Sequence, residues 1–241
     1  MNILTTMVPE WISILFLITV PIPIFMIANV AKQGTLPAGL ETTKAKLVFR
    51  SIVFFYAIYL TYVSIMSWNG VFSTNTLPPK IILFTTLPLF LFFLLVVSRL
   101  EIYKTILRNV SFESLVRVHI FRLIGIFFLI LHAHGAIPRE FAYIAGIGDI
   151  ATAVSSIFVA KAITTKKPYA KVLTILWNTF GILDIVAVLV TAIITTKLSI
   201  ETGSQNILAL TYFPFCLIPS FAAATIIFLH VSLFRKLRLE K

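Results

Sequence analysis

Residues 81–97 contain no charged side chain, and a run this long and this apolar leaves few options for folding. A helix of about 20 apolar residues spans a hydrocarbon core roughly 30 Å thick. Seven runs of that kind lie along the chain, at about residues 8–31, 47–68, 79–98, 115–133, 140–160, 170–195 and 207–233. Strands of a membrane barrel would instead alternate in segments of about ten residues. Hydrophobic residues make up 59% of the chain and charged ones 12%, against about 25% charged in soluble domains. That excludes a soluble enzyme, a disordered tail and a disulfide scaffold. The expected fold is all-α, a single bundle of seven transmembrane helices over residues 1–241. The first run is too long for the core of a secretory signal and lacks a basic lead, so it reads as a retained span.

Lysine and arginine set the expected orientation. Of the 20 basic residues, 16 fall in the segments after the first, third, fifth and seventh runs, including Lys44, Lys46, Arg99, Lys104, Lys166, Lys171, Arg235 and Lys236. Lys80, Arg139 and Lys197 fall on the other side, and Arg122 lies inside a span. The N-terminus is therefore expected outside and the C-terminus in the cytoplasm, in a plasma membrane or bacterial inner membrane. The net charge of +11 then suits anionic headgroups on the cytoplasmic face and not nucleic acid. The loops are too short for a second domain. Residues 101–116 place Ile102, Ile106, Leu107 and Val110 among charges, which reads as a solvated linker in preference to a short interfacial helix.

Cofactor signals are sparse. Cys216 is the only cysteine, so it reads as a buried structural thiol. The Asn109-Val110-Ser111 sequon falls on the cytoplasmic side. A covalent retinal is excluded, because no lysine lies in the middle of a span. His119 and His132 share a helix but sit about 140° apart at 100° per residue, the wrong relation for two haems. His119 and His230 could hold a single b-type haem, but the favoured reading places them at helix ends in the interface. His132 and His134 read as a polar turn; only Glu140 suggests itself as a third metal ligand. Tyr56, Tyr59, Tyr62, Trp68 and Tyr212 read as packing and interfacial aromatics.

Ionisable groups inside a membrane are rare and costly, and they point to function. Three qualify here: Arg122, Asp149 and Asp184. Counted at 1.5 Å per residue, they lie about 10, 16 and 21 Å above the cytoplasmic edge. Arg122 can then reach Asp149, and Asn178 stands close enough to join them. Asp184 is left over; a bare carboxylate there either holds a proton or binds something. Small residues recur on the fifth helix at Ala142, Ala145, Gly146, Asp149, Thr152, Ala153, Ser156 and Ala160, which permits close helix approach. On the sixth, Trp177, Gly181, Asp184 and Thr191 share a side, with Asn178 and Thr174 beside it. Pro21, Pro23, Pro88, Pro214 and Pro219 are expected to interrupt their spans.

Phe121-Arg122-x-x-Gly125, Pro138-Arg139-Glu140-Phe141, Gly146-x-Gly148-Asp149 and Trp177-Asn178-x-x-Gly181-x-x-Asp184 resemble small, uncharacterised prokaryotic integral membrane proteins. The likeness covers about residues 121–190, under a third of the chain, and implies seven helices without a mechanism. From the residues themselves, the leading expectation is a small-solute or ion transporter, with proton coupling as one form. Its site would comprise Arg122, Asp149, Asp184, Asn178, Thr152 and Trp177. The alternative is a membrane sensor or a subunit bound to another membrane protein. An enzyme is disfavoured, since no triad, metal cluster or cofactor motif is present.

Overall fold

In the computed structural model, residues 8–36 and 42–239 are described. Among them, seven helical segments are long and apolar enough to cross a membrane: Glu10–Thr35, Thr42–Trp68, Ile82–Arg99, Phe112–Ala133, Arg139–Thr164, Ala170–Thr202 and Leu217–Leu239. No strand occurs among the described residues. The chain is an all-α, multi-pass membrane protein. Contacts between connecting segments define two ends of the bundle. At one end Ser114 donates to Gln33 at 3.1 Å and Tyr103 meets Ser232 at 2.8 Å. At the other Asn75 donates to Ser199 at 3.0 Å, and Gln205 donates to the Gly135 carbonyl at 2.7 Å. The four basic groups belong to the first end; Lys80, Arg139 and Lys197 belong to the second.

The boundaries differ from the sequence reading where turn chemistry overrides apolar character. Residues 207–216 are apolar but outside the seventh helix, which begins at Leu217. Leu208–Thr211 forms a short 3₁₀ turn instead, and Pro214 follows it. Pro219 thus sits in the first turn of the helix, where its missing N–H has no partner to lose. Neither residue interrupts the span. Pro21 does, opening a new helix after Val20, and Pro88 follows a π-helical turn at Ile82–Thr86. The sixth helix runs on to Thr202 and stops at Gly203, whose φ of 70° is left-handed.

Residues 101–116 are not a linker. Glu101–Asn109 is a helix with Leu107 buried, and its neighbour Val110 is buried as well. The N-terminal Glu101 pairs with Lys104 at 2.6 Å, which holds its carboxyl below the ordinary value. At the other terminus Lys236, only 4% exposed, donates to the carbonyls of Leu107 and Arg108 at 3.2 and 3.1 Å. A charged cap of this kind stabilises the last turn. Lys236→Met removes both bonds, and hydrogen bonds to charged groups contribute about 1.5–3 kcal/mol. The expected results are a lower unfolding midpoint in detergent and faster amide exchange confined to residues 101–109. Unchanged exchange there would show that the helix does not depend on the cap.

The fourth and seventh spans are the most buried, and the other five surround them. The eight small and polar residues named above along the fifth span are all buried. Small side chains let this helix pack tightly against the sixth span and the first half of the fourth. Tyr56 and Tyr59 close the seam to the seventh span, with their hydroxyls on Thr225 and on the Ser220 carbonyl.

Candidate functional site

Within the fourth span the helix changes type. Val118–Gly125 is 3₁₀ and Ile126–Ala133 is α. A 3₁₀ helix has three residues per turn, so positions three apart eclipse. His119, Arg122 and Gly125 therefore fall along one line facing the fifth and sixth spans. The tighter helix also rises about 2.0 Å per residue, against 1.5 Å in an α-helix. Together with a span that starts earlier, this lifts Arg122 toward the level expected of Asp184.

Arg122 is 1% exposed and its guanidinium is fully engaged. Nε donates to Asp149 Oδ1 at 2.6 Å, and Nη2 donates to Asp184 Oδ2. Nη1 faces the Gly181 carbonyl at 3.4 Å and His230 Nε2 at 3.3 Å. Asp184 is therefore not left over, contrary to the sequence reading; one guanidinium holds both carboxylates. The arithmetic of charge stays unbalanced. Two carboxylates against one guanidinium leave a surplus of one negative charge unless the cluster holds a proton or a cation.

The remaining expected residues are close by but do other work. Asn178 hydrogen-bonds to His230 in place of the ion pair. Its Nδ2 donates to the His230 carbonyl at 3.0 Å, and its Oδ1 lies 2.7 Å from His230 Nδ1. An arginine can only donate, so His230 accepts at Nε2 and carries its proton on Nδ1, toward Asn178. Trp177 donates to the Thr152 carbonyl at 3.2 Å and to Ser155 Oγ at 3.1 Å. The Thr152 hydroxyl is spent on the Gly148 carbonyl of its own helix at 2.9 Å. Thr152 thus supports the wall and gives the ion cluster no side-chain bond.

Both His119 and His230 were missed as members of the cluster. They are fully buried, not interfacial, because the fourth and seventh helices extend further at the basic end than their apolar runs do. Their ring centroids are 4.1 Å apart. Rings in van der Waals contact leave no room for a haem between them, and His230 Nε2 already faces a guanidinium. A usable signal lay in the glycines. A Cβ on Gly125 would run into Asp149, one on Gly148 into the Asp184 carboxylate, and one on Gly181 into the His230 ring. Each glycine makes space for a polar member of the cluster on a neighbouring helix.

Two cavities reach this cluster. One of about 70 Å³ starts at Asn75, Thr76 and Lys80 at the second end and reaches down to Asp149, walled by Phe128, Ile185 and Ala192. The other, about 40 Å³, lies beside Pro23 and is lined by Arg122 and Asp149. Toward the basic end Trp177, His119 and His230 pack together, with ring centroids 5.2 and 5.4 Å from the indole. In the turn between the fourth and fifth spans, Nδ1 of His132 lies 3.2 Å from the Ile137 carbonyl, and Nδ1 of His134 lies 3.0 Å from the Ile130 carbonyl. Among the described residues no group of three His, Cys, Asp or Glu side chains is placed to hold a metal ion.

No curated protein and no solved structure matches the chain. A family model does, over residues 78–238, which takes in the third to seventh spans and every member of the Arg122 cluster. The chain belongs to that family, a domain of unknown function designated DUF8737.

Proposed function

We propose that the protein moves a small solute or an ion across a membrane with proton coupling, using Arg122, Asp149 and Asp184 as its central site. One observation carries the reading: a buried cluster with two carboxylates to one guanidinium lies at the foot of a cavity from one end. Structural ion pairs have no need of a surplus carboxylate or of an access path. A carboxylate that alternates between protonated and paired states is what a proton-coupled carrier uses. Kinked or broken helices beside cavities are common in such proteins, and the breaks at Val20 and at the π-turn Ile82–Thr86 flank the two cavities. The packed His119, Trp177 and His230 close the other side, as alternating access requires of one gate at a time.

The orientation belongs to the same proposal. The basic end faces the cytoplasm against anionic headgroups, in the plasma or inner membrane of a prokaryotic cell, and the cavity opens outside. Reconstituted into liposomes with a pH-sensitive dye inside, the protein is expected to admit protons down an imposed gradient. Asp184→Asn should reduce that flux at least about tenfold, the scale of a 1.4 kcal/mol effect. Flux unchanged by the substitution would overturn the role of Asp184. A second reading, a one-ended ligand sensor or a subunit of a larger membrane complex, draws on the closed side. Solute retained in the cavity without any flux would favour it.

A further inference from the structure

His119 is 0% exposed, and neither of its ring nitrogens has a hydrogen-bond partner. Buried polar groups are nearly always satisfied, and those that are not call for an explanation. One 3₁₀ turn separates His119 from Arg122, about 6 Å along the axis, on the side of the guanidinium toward the basic end. It therefore lies beyond the point where the cavity from the other end stops. The ionisable groups around it are few. Its own helix contributes Arg122, the fifth span Asp149, the sixth Asp184 and the seventh His230. The first span, which also packs on this 3₁₀ segment, carries only Glu10 and Lys32, near its two ends.

We propose that His119 is the second residence of a single exchangeable proton whose first residence is the Asp149–Asp184 pair. With the proton on a carboxylate, one carboxylic acid, one carboxylate and the guanidinium sum to zero. With the proton on His119, two carboxylates face a guanidinium and an imidazolium, and the sum is again zero. Transfer breaks one O–H bond and forms one N–H bond, leaving a carboxylate and an imidazolium. No other reagent is involved. A membrane interior tolerates a neutral cluster far better than a net charge, so the two proton positions are the two states that the site can hold. The inference rests on the carrier reading for its purpose, and it adds the proton's second site and the direction of its next step, toward the basic end.

Nitrogen NMR of histidine-labelled protein in lipid nanodiscs reads the protonation of His119 directly. In an H132Q/H134Q background only the two buried histidines give signals. The His230 signal is recognised by its Nδ1–H bonded to Asn178. At one fixed pH, His119 is expected to give two exchanging signals, neutral and doubly protonated, for the two residences of the proton. In D184N the cluster is already neutral without that proton, so the doubly protonated signal should fall at least about tenfold. A His119 that is only ever neutral, or a doubly protonated signal unmoved by D184N, overturns the proposal. A doubly protonated His119 coupled to Asp184 in a protein without liposome flux would support the shared proton and remove the carrier reading. Flux with a silent His119 would do the opposite.

Discussion

Arg122→Leu is expected to destabilise the protein by about 3–5 kcal/mol, because it strands two buried carboxylates. Asp149 and Asp184 each have their main partner in this guanidinium, and His230 Nε2 would lose its donor as well. The triple change R122M/D149L/D184L is expected to behave very differently. It removes all three charges and keeps the branching of both aspartates, and such replacements of buried ion groups are often neutral or stabilising. Unfolding midpoints in detergent and recovery as a monodisperse species separate the cases. The single variant should be poorly recovered, and the triple variant should return to within about 1 kcal/mol of the native chain, yet show no proton flux. If the triple variant is as unstable as the single one, the cluster is an architectural element that the helices need. The prediction thus places stability and transport on different variants.

The seven spans were readable because apolar length is a crude signal that tertiary context rarely overrides. The stripe of small residues on the fifth helix was readable for a related reason: three- and four-residue spacing fixes which side chains share a face. What stayed hidden depended on local backbone type. The 3₁₀ segment Val118–Gly125 has nothing in its sequence that an α-helix would reject, and it changes both the rise and the facing of Arg122. A height estimate built on α geometry therefore separated Arg122 from Asp184, when the two are in contact. The histidines were misplaced by the same kind of error, since helix ends were set where hydrophobicity ended, while Lys236 and the 101–109 helix extend the structure further. The glycines carry a geometric signal that their spacing alone does not convey. Gly148 and Gly181 mark the points at which another helix inserts a polar side chain.

Gly148→Ala should therefore act on the cluster without touching any charge. A Cβ at this position would occupy the space of the Asp184 carboxylate, so the carboxylate must swing away from Arg122 or the fifth and sixth helices must separate. Overpacking of this kind costs about 1–3 kcal/mol. The competing explanation is loss of helix packing in general, and a double-mutant cycle distinguishes the two. In a D184A background the carboxylate is gone and the added methyl has room. Gly148→Ala should then be close to neutral, giving a coupling of about 1–3 kcal/mol between the two positions. Gly203→Ala is the control. Gly203 has a φ of +70° and open space around its missing side chain, so its substitution strains the backbone and should show no coupling to Asp184. Additive costs for Gly148→Ala and D184A would mean that the glycine serves the helix contact alone. A coupled loss of proton flux in Gly148→Ala, with Asp184 still present, would mean that its pairing with Arg122, beyond its charge, is what the site requires.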